Sequence, residues 1–164
     1  MKTFELQAKV HAYSYDELPP DYRELVDVAK QMTGASYNPY SRFAVGAALR
    51  LEDGTIVRGC NQENAAYPSG LCAERTALFA AGANYPGKAM RAIAIAAFSN
   101  GRFTQEPVSP CGGCRQVMVE YEDAQKAPLA VILYGTDGCY VIESSKELMP
   151  FCFVAESLAA NKDE

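Results

Sequence analysis

Apolar and polar residues alternate at the start of the chain. Phe4, Leu6, Ala8 and Val10 are separated by Glu5, Gln7 and Lys9, the period of two expected of a half-buried strand. The period then changes. After Pro19-Pro20, which suits a helix entry, Tyr22, Leu25, Val26, Ala29 and Met32 share one helical face, and Gly34 predicts its stop. Residues 43–51 and 55–60 read as strands joined by the turn Glu52-Asp53-Gly54. A helix is expected over 72–81, ending at Gly82. The continuous apolar run 89–98 suits a strand buried on both faces. A loop follows, and Pro110 introduces a second helix over 111–121. Strands at 129–134 and 140–142 and a short helix over 155–160 complete the pattern. Strands and helices alternate without repeats. The expected fold is α/β, a three-layer α/β/α sandwich on one central mixed sheet. The 164 residues make one domain, 1–164, with 1–20 as an N-terminal strand extension.

Composition narrows the partners. With 49% hydrophobic and 21% charged residues the chain falls among soluble globular proteins. No apolar run reaches membrane-spanning length, and the start lacks the apolar core of a secretory signal, so no membrane partner is expected and the expected compartment is the cytoplasm. The net charge is −5, Lys and Arg are scattered, and the terminal Lys162-Asp163-Glu164 is acidic. A protein that tracks a phosphate backbone shows a basic stripe, so nucleic acid is not expected as a partner; a small aminated molecule fits better.

Cysteine usage changes the picture most. Of six cysteines, Cys60, Cys139 and Cys152 stand among apolar or small residues and read as small buried hydrophobes. The sole histidine, His11, lies far before the others and is expected to pack or face solvent. Cys72-Ala73-Glu74 and Pro110-Cys111-Gly112-Gly113-Cys114 are different. Three thiolates around zinc leave the fourth tetrahedral position open, the mark of a catalytic site, and Glu74 is free to carry protons for a water placed there. This is the zinc deaminase signature, with Cys72, Cys111 and Cys114 as ligands and Glu74 as the catalytic acid/base. Cys-x-x-Cys also serves redox pairs, but the third cysteine and Glu74 weaken that reading. A closed structural site needs a fourth ligand; no His or Cys stands close in sequence to supply it, though Cys60 could fold in.

The spacing has a structural reason. Both ligand groups fall where helices begin, Cys111 and Cys114 share a face, and two helix dipoles favour thiolates. Zinc with three thiolates carries a net −1. Arg75 and Gln116 are the candidate hydrogen-bond donors that would relieve it.

On these residues the chain resembles the small, homotetrameric cytidine deaminases, from about Leu25 to Phe153. The match includes Tyr40-Ser41-Arg42-Phe43, Val45-Gly46-Ala47-Ala48, Gly59-Cys60-Asn61-Gln62-Glu63-Asn64-Ala65-Ala66-Tyr67, and the zinc segments through Arg75 and Gln116. The resemblance implies one zinc ion per subunit and deamination of cytidine and deoxycytidine in pyrimidine salvage. It implies that Asn61 and Glu63 bind the sugar and Phe43 packs on the base, with Ala73 also in the substrate site. Ala65 and Tyr67 would lie near a neighbouring subunit's site. Leu148-Met149-Pro150-Phe151-Cys152-Phe153 resembles the segment that lends an aromatic to the adjacent subunit, with Phe153 at the matching position and Val154 where the family has Gly. Residues 99–108 form a longer loop than usual. Without the resemblance, Asn61 and Glu63 also read as a solvated hairpin end. A deaminase of another aminated nucleoside, or a zinc-stabilised nucleoside-binding scaffold, stays open.

Overall fold

The computed structural model describes residues 1–159. Ala160 of the last expected helix and the acidic Lys162-Asp163-Glu164 lie outside the described residues. The strands are β1 (His11–Tyr13), β2 (Ala44–Leu51), β3 (Ile56–Cys60), β4 (Met90–Ser99), β5 (Arg102–Phe103), β6 (Ala130–Gly135) and β7 (Gly138–Ile142). The helices are α1 (Pro20–Met32), α2 (Ala73–Asn84), α3 (Gly112–Gln125) and α4 (Ala155–Ala159).

The sheet runs β1-β7-β6-β4-β2-β3, with β5 paired to β4. Among the strands of the described residues β4 and β6 pair in parallel and the other pairs are antiparallel, so the sheet is mixed, as expected. The crossover between β4 and β6 carries α3, because parallel neighbours need a connection that returns over the sheet. Strand alternation divides the core. Ala48, Ala92, Ala94, Ala96 and Ile132 face α1, through Leu25, Val26 and Ala29. Leu49, Ile93, Ile95, Val131 and Leu133 face α2 and α3, through Ala77, Leu78 and Met118. The second face carries the larger strand side chains and holds the sulfur of Cys114. A Leu49→Ala change there would cost about 2–5 kcal/mol.

Four expectations need correction. Residues 4–10 form no strand, and Phe4, Leu6 and Val10 are exposed. The ladder explains why: His11 opposes Val141, so β7, ending at Ile142, has one position left, opposite Val10, and none for residues 4–9. The Lys9 amide instead donates to Glu147 Oε2 at 2.6 Å. Gly82 does not stop α2, which continues to Asn84; the glycine makes room for Tyr121, whose hydroxyl would lie 2.5 Å from any Cβ there. The loop after β4 starts as a hairpin, since Asn100 and Gly101 take φ of 53° and 76° and return the chain as β5. Cys152 is half-buried, whereas Cys139 and Cys60 are buried as expected.

Candidate metal and substrate site

The sequence places both ligand groups at helix starts, and the fold brings those starts together. Cys72 is the residue before α2 and Cys111 the residue before α3, each with extended backbone; Cys114 lies in the first turn of α3. The Sγ of Cys72 stands 3.9 Å from that of Cys111, which stands 3.5 Å from that of Cys114. All three lie within 4.8 Å of one another. Tetrahedral bonds of about 2.3 Å separate two sulfurs by about 3.8 Å, so the trio fits a zinc ion. Among the described residues no further Cys, His, Asp or Glu joins the cluster. Cys60 directs its thiol to the Ala35 carbonyl, and His11 pairs with Glu143 at 3.4 Å, so neither is a ligand here.

The electrostatics suit a cation. The Cys72 thiol is held down to about 5, first by a hydrogen bond from Cys114 and then by Arg75 and Cys111. The Cys114 thiol is pushed up, because it shares its proton with Cys72 and is buried. The two sulfurs thus compete for one proton, whose place a metal ion held by the cluster would take. Arg75 Nη2 lies 3.8 Å from Cys72 Sγ, within reach of a hydrogen bond to it. Gln116 is directed elsewhere: its Nε2 donates to the Phe153 carbonyl at 2.7 Å.

Glu74 is 4% exposed, in the first turn of α2. Burial pushes its carboxyl above the ordinary range, and the charge on Cys72 adds to the effect. It borders a cavity of about 300 Å³ together with Cys72, Cys111, Ala73, Phe43 and Asn61. A more open compartment of about 440 Å³ adjoins it, sharing Asn61, Glu63 and Cys72 and reaching Tyr40, Tyr67 and Leu71. The cavity thus has reactive groups at one end, an aromatic wall, and polar side chains toward its mouth.

Asn61 does more than line the cavity. Its Oδ1 accepts from the Val45 amide at 2.7 Å and from Ser36 Oγ, and its Nδ2 donates to the Phe43 carbonyl at 2.9 Å. It therefore holds the start of β2, and Phe43 with it. Glu63 Oε2 accepts from the amides of Tyr40 and Ser41 at 2.9 and 3.2 Å, and hydrogen bonding to Ser41 holds its carboxyl below the ordinary range. Ala65 is exposed, Tyr67 is 77% exposed and Phe153 58% exposed; of these only Tyr67 borders either compartment.

Ile95, Val108 and Ser109 also line the cavity and were not legible beforehand. Ile95 sits in an apolar run without internal contrast. The position of Val108 and Ser109 just before Pro110-Cys111 was the available signal.

The family described as cytidine and deoxycytidylate deaminase zinc-binding region matches residues 20–130. A cytidine deaminase of Halalkalibacterium halodurans is 43% identical over 138 residues, 84% of this chain and 98% of the relative. One from Sporosarcina psychrophila is 40% identical over 139 residues, 85% of this chain and 96% of the relative. The crystal structure of cytidine deaminase from Burkholderia pseudomallei superposes with a TM-score of 0.68 at 42% identity, covering 80% of this chain and 98% of that one.

Proposed function

This chain belongs to the cytidine and deoxycytidylate deaminase family, and on that premise we propose that it deaminates cytidine and deoxycytidine hydrolytically, giving uridine and deoxyuridine with release of ammonia. The observation that carries the reading is the buried Glu74 beside three clustered sulfurs, in a cavity walled by Phe43 and Asn61.

Cys72, Cys111 and Cys114 would hold one zinc ion per subunit, which when bound supplies Lewis-acid activation of a water. Glu74 takes a proton from the attacking water and passes it to N3 of the pyrimidine, which makes C4 electrophilic. The water oxygen bonds to C4; Glu74 then moves the remaining proton from that oxygen to the exocyclic amino group, and the C4–N bond breaks to leave the C4 carbonyl and release ammonia. A carboxyl raised by burial suits both transfers, because it holds an accepted proton more readily than an ordinary carboxylate does. Arg75 offsets the sulfur charge. Phe43 packs on the base beside the Ala73 backbone, and Asn61 and Glu63 bind the sugar hydroxyl.

An unphosphorylated nucleoside fits the mouth best. Glu63 stands there as a carboxylate, and the guanidinium bordering the compartment, Arg75, faces Cys72. A 5′-phosphate would meet repulsion from Glu63 with no counter-cation besides Arg75 among the described lining residues. The subunits are read as assembling into a homotetramer. Tyr40 and Tyr67 stack edge to face at 6.3 Å while exposed, and Phe151 and Phe153 project from the fold, which supports burial against other copies with Ala65, Tyr67 and Phe153 near a neighbour's site.

The test is ammonia release and loss of cytosine absorbance with cytidine and deoxycytidine, on zinc-loaded protein beside Glu74→Ala. Turnover that falls at least about 100-fold in the variant supports the reading. A zinc-replete protein without turnover excludes it and favours another aminated nucleoside or a binding scaffold.

A further inference from the structure

Two side chains at the start of α3 turn away from the sulfurs and hold the C-terminal segment. Arg115 follows Cys114 in sequence. Its Nε donates to the Pro110 carbonyl oxygen at 2.9 Å, and its Nη1 donates to the Leu148 carbonyl oxygen at 2.9 Å. Gln116 adds the bond to the Phe153 carbonyl. Between those two anchor points Phe151 takes a left-handed φ of 55° and is 90% exposed.

The Pro110 carbonyl belongs to the peptide that leads into Cys111, so holding it fixes the plane from which the Cys111 side chain departs. The guanidinium is planar and its donors keep a fixed relation, so the two carbonyls are held at a set spacing. Leu148, at the other end of the bridge, packs against the core cluster that includes Cys114 and Met118. One side chain thus links the loop carrying Cys111 to a segment more than thirty residues further on.

We propose that Arg115 is a positioning residue of the metal centre, bracing the Cys111 limb of the sulfur cluster against residues 148–153. The proposal rests on the zinc reading given above. Its consequence is reciprocal: whatever orders the C-terminal segment steadies the Cys111 limb, and loosening Arg115 frees both.

The experiment uses full-length, zinc-loaded protein and follows zinc transfer to a chromogenic chelator, beside chymotrypsin cleavage at Phe151 and Phe153. Arg115→Ala should release zinc about 10- to 100-fold faster than wild type, the range usual for groups that orient metal ligands. Arg115→Lys keeps the charge and one of the two bonds, and should fall between. Cleavage should accelerate in the same order, and the visible bands of cobalt-loaded Arg115→Ala should shift from those of wild type. If Arg115→Ala does not fold, Arg115→Lys decides alone. Release at the wild-type rate from the folded variants overturns the proposal and leaves the zinc reading intact. A wild-type protein that holds no zinc overturns both.

Discussion

Gly59 on β3 lies in backbone contact with Ala73 at the start of α2: a Cβ on Gly59 would stand 2.4 Å from the Ala73 carbonyl oxygen and 2.6 Å from the Ala77 amide nitrogen. The helix bearing Glu74, and Cys72 just before it, is therefore seated directly on the sheet. Gly59→Ala must push that helix away, at a cost of about 1–3 kcal/mol for overpacking. Urea midpoint and kcat should fall together, because the same displacement moves Glu74. A normal midpoint with normal turnover would show that α2 can shift freely.

Arg75→Ala should keep zinc and lose about 10- to 100-fold in turnover, since its guanidinium offsets charge on Cys72 without being a ligand. Metal analysis beside steady-state kinetics checks this. Equal turnover in the variant removes Arg75 from the mechanism.

Asn61 and Glu63 should part company under mutation. Asn61→Ala leaves the Val45 amide and Phe43 carbonyl without their partners, which costs about 1–3 kcal/mol per buried group and loosens the aromatic wall. Glu63→Gln keeps an acceptor for the Tyr40 and Ser41 amides, so KM should rise while thermal stability stays close to wild type. A stability loss as large as that of Asn61→Ala would assign Glu63 to the scaffold.

Tyr15 supplies a pH dependence far from the site. Burial and its hydrogen bond to Asp27, at 2.6 Å, raise the phenol from 10.0 to about 12. A raised folded value means that the stabilisation is fully present below pH 10 and is lost as pH rises through about 12. Tyr15→Phe should be less stable than wild type at pH 8, with the difference shrinking between pH 10 and 12 in alkaline unfolding curves. A constant difference across that range would refute the linkage.

Tyr67→Asp should disrupt assembly. The ring is 77% exposed and packs edge to face on Tyr40 beside the substrate compartment. Sedimentation should report a tetramer for wild type and smaller species for the variant, with a raised KM. A wild-type monomer with full activity would show that each site is complete within one chain.

The chemistry of this protein was written locally, and so was readable. Ligand type, ligand spacing and the adjacent Glu74 depend on a few neighbouring residues, and helix starts at Cys72 and Cys111 follow from local pattern and Pro110. The alternating core and mixed α/β order followed as well, because strand and helix periods are local properties. What lies between distant segments was decided by the tertiary structure. The end of β7 at Ile142 denied a partner to residues 4–9, although their alternation suits a strand. Tyr121 against Gly82 kept α2 running past a residue that usually stops a helix. Gln116 was drawn to Phe153 and away from the sulfurs, while Asn61 was drawn into holding Phe43 and Val45. In each case a hydrogen bond or a steric contact with a residue far along the chain outweighed the local preference. Sequence alone specifies which groups are available; the packed fold selects their partners, because burial forces each polar group to find one.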